Sequence, residues 1–191
     1  MQAPFVEPLR EVVACLDRLG VPFFVAGSVA STMHGEIRTT QDVDLVVELD
    51  EPRVRALVEA LQDRYYVDEA SVVDAVRRRS SCNLIHLATA FKVDLFVRRE
   101  RPFSRSEMAR RERVAVGGLT LPMATAEDCV LTKLEWFEKG GRVSDRQWRD
   151  VLGVIKGRGD RLDVGYLRRW AAELGLRELL DRALHEAAHP G

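Results

Sequence analysis

A chain of 191 residues, 46% hydrophobic and 31% charged with a formal net charge of −1, can bury a real core and is too balanced to attract polyanions through bulk charge. Its three cysteines, Cys15, Cys82 and Cys129, are odd in number and far apart, which excludes a disulfide framework or zinc ribbon and predicts reduced core thiols in a cytoplasm. The opening residues carry Glu7 and Pro8 rather than a basic and then apolar leader, and no run approaches about eighteen apolar residues, so neither export nor membrane insertion is expected.

Val12, Val13, Leu16 and Leu19 recur at helical spacing over residues 9–19. Val21-Pro22-Phe23-Phe24-Val25 then reads as a short buried strand ending at Gly27, with Ser28 placed to cap a helix through Met33. Val43 to Val47 supplies the next strand. Asp50-Glu51-Pro52 opens a helix whose apolar stripe is Val54, Leu57, Val58 and Leu61. Residues 70–80 are ambiguous in period. Cys82 to Leu87 and Phe91 to Val97 are expected as strands joined by Ala88-Thr89-Ala90. Arg113 to Val116 and Leu119 to Leu121 read as a hairpin about Gly117-Gly118.

Beyond Pro122 the pattern turns helical. Thr125 with Asp128 and Ser144 with Gln147 have capping-box spacing, opening helices to about Lys139 and about Lys156 with Gly140-Gly141 between them. Leu162 to Leu174 and Leu176 to Ala188 continue as amphipathic helices. The expected organisation is an α+β domain over 1–122 followed by a helical subdomain over 123–191.

Asp42-Val43-Asp44 begins an otherwise apolar strand. Successive strand side chains alternate faces, so Asp42 and Asp44 project together, roughly 7 Å apart at Cα, while Val43 and Leu45 turn away. Like charges that close favour a divalent cation, and carboxylate oxygens suit a hard one such as Mg²⁺. Asp94 sits among Val93, Leu95 and Phe96, a third carboxylate in an apolar strand. Upstream, Gly27-Ser28 ends a strand and opens a helix, a place where free N–H groups and the helix dipole face outward and can bind phosphate.

Gly27-Ser28, Asp42-x-Asp44 and the strand-borne Asp94 together resemble the signature of the DNA polymerase β-like nucleotidyltransferase superfamily. Within it, Ala26 to Ala30, Arg38 to Asp44, and Ala124 to Asp128 leading to Lys133-Leu134 are similar to AbiEii-toxin-like bacterial nucleotidyltransferases, over about residues 20–155. The resemblance implies a mixed β-sheet with flanking helices and a C-terminal helical bundle. It also implies transfer of a nucleoside monophosphate from an NTP to an acceptor hydroxyl, with Mg²⁺ in two sites or Mn²⁺ in its place. Asp42 and Asp44 would hold metal and nucleotide phosphates, and Asp94 would complete one metal site and lower the pKa of the acceptor hydroxyl or take its proton. Gly27 and Ser28 would meet phosphate through backbone and hydroxyl. The acceptor implied is an RNA or tRNA end, or a small molecule as in the antibiotic-modifying members, and a toxin-like member would have an antitoxin protein as partner.

Arg38, with His34 near it, is read either as a triphosphate contact or as a surface ion pair. Lys133 lies at the margin of the stripe of Val130, Leu134 and Phe137, so its stem can pack while its ammonium reaches into a cleft, and the resemblance to the toxin-like families implies that it contacts nucleotide phosphate. Asp150 matches the acidic residue of the toxin-like families' next helix, but falls opposite Trp148, Val151, Leu152 and Ile155 and reads equally as solvated. The arginines from Arg98 to Arg113 read as an RNA path or, preferably, as a solvated face interleaved with Glu100, Glu107 and Glu112. His185-Glu186-Ala187-Ala188-His189 matches a zinc-protease pattern on a terminal helix prone to fray, and no zinc is expected there. A non-catalytic binding module or antitoxin is the competing reading.

Overall fold

Leu9, Val12 and Leu16 line one side of the first helix and are fully buried, which sets α1 (Val6–Arg18) as a core helix. The structure, a computed structural model, describes residues 6–35 and 42–189. After α1 come β1 (Phe23–Val25), α2 (Gly27–His34), β2 (Asp42–Val47), α3 (Glu51–Leu61), β3 (Tyr65–Tyr66), α4 (Glu69–Arg78), β4 (Ser81–His86), β5 (Lys92–Val97), α5 (Pro102–Arg110), β6 (Glu112–Val116) and β7 (Leu119–Met123). Four further helices follow, α6 (Ala126–Lys139), α7 (Asp145–Arg158), α8 (Val164–Leu174) and α9 (Arg177–Ala188).

The chain forms two compact units, Met1–Ser28 with Thr40–Met123, and Val29–Thr39 with Ala124–Gly191. The first holds a seven-stranded mixed sheet in the order β3-β4-β5-β2-β1-β7-β6. β2 runs parallel to β5 and antiparallel to β1, and β7 joins β1 in parallel through Val25 and Met123. One face of β2, β4 and β5 carries Val43, Leu45, Leu84, Val93 and Leu95, none of them exposed. α4 packs on β4 and β5, α3 on α4 and α1 on α3. The β6–β7 hairpin turns through Gly117 (φ 57°) and Gly118 (φ 83°), the paired left-handed conformation that matches strand twist and favours glycine.

Three local features differ from the sequence reading. Residues 69–78 form a helix, capped by Asp68 accepting from the Ser71 amide, with Val72, Ala75 and Val76 buried. Tyr65–Tyr66 makes an edge strand too short for any periodicity to announce. α2 starts at Gly27, so Ser28 lies inside its first turn rather than ahead of it.

In the second unit, Thr125 accepts from the Asp128 amide and Ser144 from the Gln147 amide, so α6 and α7 begin where the sequence motifs put them. The end of α2 meets α7 backbone to backbone. A Cβ at Gly35 would lie 2.4 Å from the Gly153 carbonyl oxygen, and one at Gly157 would lie 2.7 Å from that of His34. Glycines that weaken a helix interior thus buy a close helix contact here.

Candidate active site

The register of β2 and β5 assembles the site. Asp44 pairs with Asp94 and Asp42 with Lys92, while Val43 pairs with Val93 and Leu45 with Leu95. In parallel strands paired residues share a face, so all three carboxylates stand on the side opposite the buried valines and leucines, Asp44 and Asp94 on adjacent strands. Asp42 and Asp44 are half-buried and Asp94 is buried, 8% exposed.

Gly27 sits against this row. It has φ 58°, and a Cβ there would fall 1.7 Å from Asp44 Oδ2. The Ala26 amide donates to the Asp44 carbonyl at 2.9 Å, fixing the two backbones together. A carboxylate held beside the first residue of a helix is favoured by the exposed N–H groups and dipole of that terminus. The close approach that Gly27 permits is therefore, first of all, to Asp44. Ser28, the next residue, is buried at 8% exposure.

One participant went unnoticed in the sequence. Lys92 Nζ lies 2.8 Å from Asp94 Oδ2. The hydrogen bond that the lysine donates to Asp94 holds it above its ordinary pKa against the opposing effect of burial, and the charges of Asp94, Asp42 and Asp44 act in the same upward sense. The alternation Lys92-Val93-Asp94 was the available signal, since it puts the ammonium on the carboxylate face. Asp94 also reaches across to β4, where burial, reinforced by the Asp94 charge, raises the Cys82 thiol to about 11.

The donor set fits a hard divalent cation. It is all oxygen, and Asp94 Oδ1 is buried with no hydrogen-bond partner, a costly state that a bound cation would relieve. Among the described residues, however, no group of three His, Cys, Asp or Glu is gathered tightly enough to hold a metal ion. The carboxylates share a face, and Lys92 sets a positive charge against Asp94.

The remaining candidates fall elsewhere. Arg38 lies outside the described residues. Lys133 and Asp150 belong to the second unit, where Lys133 Nζ donates to Asp150 Oδ2 at 2.7 Å and to Gln147 Oε1 at 3.4 Å. Their side chains are 8% and 6% exposed, so Asp150 is not the solvated residue its helical position allowed; α7 turns it onto α6. His34 is also buried, its Nε2–H donating to the Ala124 carbonyl at 2.7 Å. Arg98 pairs with Glu48 and Glu100, and Arg105 with Glu100, while Arg111 and Arg113 donate to the Met108 and Thr120 carbonyls. At the far end Glu186 accepts from Trp148 Nε1 and pairs with Arg182, while His189 Nδ1 donates to the His185 carbonyl.

No family model matches the chain, and no curated protein matches it. Solved structures do. The antibiotic-resistance factor ANT(2'')-Ia superposes with a TM-score of 0.59 at 15% identity, covering 97% of this chain and 100% of its own. A nucleotidyltransferase-like protein from Paracoccidioides brasiliensis gives 0.55 at 16% identity, covering 96% and 94%. The lincosamide antibiotic adenylyltransferase LnuA, lincomycin-bound, gives 0.51 at 12% identity, covering 78% and 95%. At such identities the likeness is one of architecture, and the architecture of this α+β chain is the nucleotidyltransferase fold.

Proposed function

We propose that the protein is an NTP-dependent nucleotidyltransferase that moves a nucleoside monophosphate onto an acceptor hydroxyl and releases pyrophosphate. The observation that carries this reading is the parallel pairing of Asp44 with Asp94 beside Gly27 at the start of α2, in a chain whose architecture is like that of solved nucleotidyltransferases. In this proposal Asp42, Asp44 and Asp94 hold Mg²⁺ or Mn²⁺, probed as a pair of ions. Bound there, the cation would offset charge developing on the phosphate oxygens.

The chain's own groups do the rest. Asp94 accepts the proton of the acceptor hydroxyl as that oxygen bonds to the α-phosphorus. The α–β phosphoanhydride bond breaks and pyrophosphate leaves. Gly27 and Ser28 bind the terminal phosphates at the helix start, where backbone N–H groups and the dipole favour anions. Arg38 and Lys133 are proposed as further phosphate contacts, with Asp150 a positioning residue that fixes the Lys133 ammonium.

The acceptor is proposed as a small-molecule hydroxyl or an RNA or tRNA end. ANT(2'')-Ia is an antibiotic-resistance factor and LnuA is lincomycin-bound, which supports the first class. The AbiEii-like spelling of residues 38–44 and 124–134 supports the second, and with it a toxin partnered by an antitoxin in the cytoplasm. A non-catalytic binding module is the second reading, favoured by the Lys92–Asp94 ion pair, which neutralises an acid that chemistry would use.

Incubation with each labelled NTP and Mg²⁺, with total tRNA in one arm and an aminoglycoside and lincosamide panel in the other, separates these readings. Label transferred by the parent and lost in Asp42→Ala and Asp94→Asn is the expected result. Transfer to neither acceptor class, with nucleotide still bound, would favour the binding module.

A further inference from the structure

Three carboxylates share one sheet face, and a cation of the chain lies in contact with Asp94. Lys92 stands opposite Asp42 in the β2–β5 register and two residues before Asp94, so its stem leaves the same face that the carboxylates share. Its ammonium lies 2.8 Å from Asp94 Oδ2, while Asp94 Oδ1 is buried and unpartnered. One oxygen of the most buried acid is thus neutralised and the other is open to a ligand.

We propose that Lys92 is a tethered cation that holds the carboxylate row together before metal arrives and competes with a divalent ion for Asp94. This rests on the nucleotidyltransferase reading and deepens it. Lys92 Nζ occupies one oxygen of Asp94 and leaves the other buried and unpartnered, so the protein alone would take up a divalent ion weakly. A bound ion would compete with Lys92 for Asp94 Oδ2. The lysine side chain is 39% exposed, which gives the released ammonium a path to water.

Mn²⁺ titration of the nucleotide-free protein, followed by the electron paramagnetic resonance signal of free Mn²⁺, tests this without reference to activity. Lys92→Met should bind Mn²⁺ about ten-fold more tightly than the parent, since a competing unit charge at contact range has been removed. Its melting temperature should fall below the parent's in EDTA and return on adding Mn²⁺. Lys92→Arg should behave as the parent, and Lys92→Gln serves if the methionine variant fails to fold in EDTA. Equal or weaker Mn²⁺ binding by the neutral variants, with transfer activity intact in the parent, would overturn the role of Lys92 alone. Absence of Mn²⁺ binding in every variant together with absence of transfer would bring down both this inference and the functional reading beneath it.

Discussion

Gly27→Ala isolates the feature on which the site's geometry turns. Gly27 has φ 58°, a conformation that costs an L side chain roughly 1–2 kcal/mol. Its new Cβ would also fall 1.7 Å from Asp44 Oδ2, and ordinary contact begins at 3.4 Å, so that oxygen must retreat by about 1.7 Å. The Asp44 backbone cannot follow, because its carbonyl accepts from the Ala26 amide at 2.9 Å. The carboxylate must rotate instead, at about 0.5–1.5 kcal/mol if it leaves its rotamer. Gly20→Ala is the control, since Gly20 has φ 62° with nothing within 4 Å of the added Cβ. Urea unfolding should show a loss of about 1–2 kcal/mol for Gly20→Ala and about 1.5–3.5 kcal/mol for Gly27→Ala. Nucleotidyl transfer should stay near the parent's in the first and fall about 100-fold in the second, the penalty for misplacing a reacting group by an ångström or more. Equal stability and equal activity in the two variants would refute the argument.

The Lys133–Asp150 pair is buried on both sides, so Lys133→Met should destabilise by about 3–5 kcal/mol in urea, and adding Asp150→Leu should recover most of that loss by removing the stranded charge. Tyr166 donates its hydroxyl to Asp128 Oδ1 at 2.6 Å, and Asp128 is fully buried; Tyr166→Phe should therefore cost about 1.5–3 kcal/mol with little change in fold by circular dichroism. Cys82 has a folded pKa raised to about 11 from 9.0, so the neutral thiol contributes its full stability below pH 9.0 and loses it as pH rises to about 11. The urea midpoint of Cys82→Ala should accordingly decline less over that interval than the parent's, and a thiol reagent at pH 8 should label Cys82 only as the protein unfolds.

Much of the site was legible because strand alternation and helix capping are local. Asp42 and Asp44 had to share a face whatever the sheet order, Asp94 had to sit among buried neighbours, and Thr125 and Ser144 announced the starts of α6 and α7 through hydrogen bonds spanning three residues. Lys92 escaped notice because a lysine two positions from an aspartate reads as a solvated pair until a second strand brings Asp42 and Asp44 alongside. Asp150 misled for a related reason. Its helical position lies away from the apolar stripe, but a neighbouring helix offers Lys133 there, and a charge with a partner tolerates burial that an isolated one does not.

By itself the amino-acid order determined which segments are strands and which helices over most of the chain, the face that Asp42 and Asp44 share, and the chemistry those side chains are suited to. These follow from interactions within a few residues of one another. Tertiary structure alone decided the strand order β3-β4-β5-β2-β1-β7-β6, the parallel register that sets Asp44 beside Asp94, and the packing of α2 against α7 through Gly35, Gly153 and Gly157. Such pairings join residues far apart in the chain, where closing the loop has an entropic cost that only the assembled core offsets, so no local pattern records them.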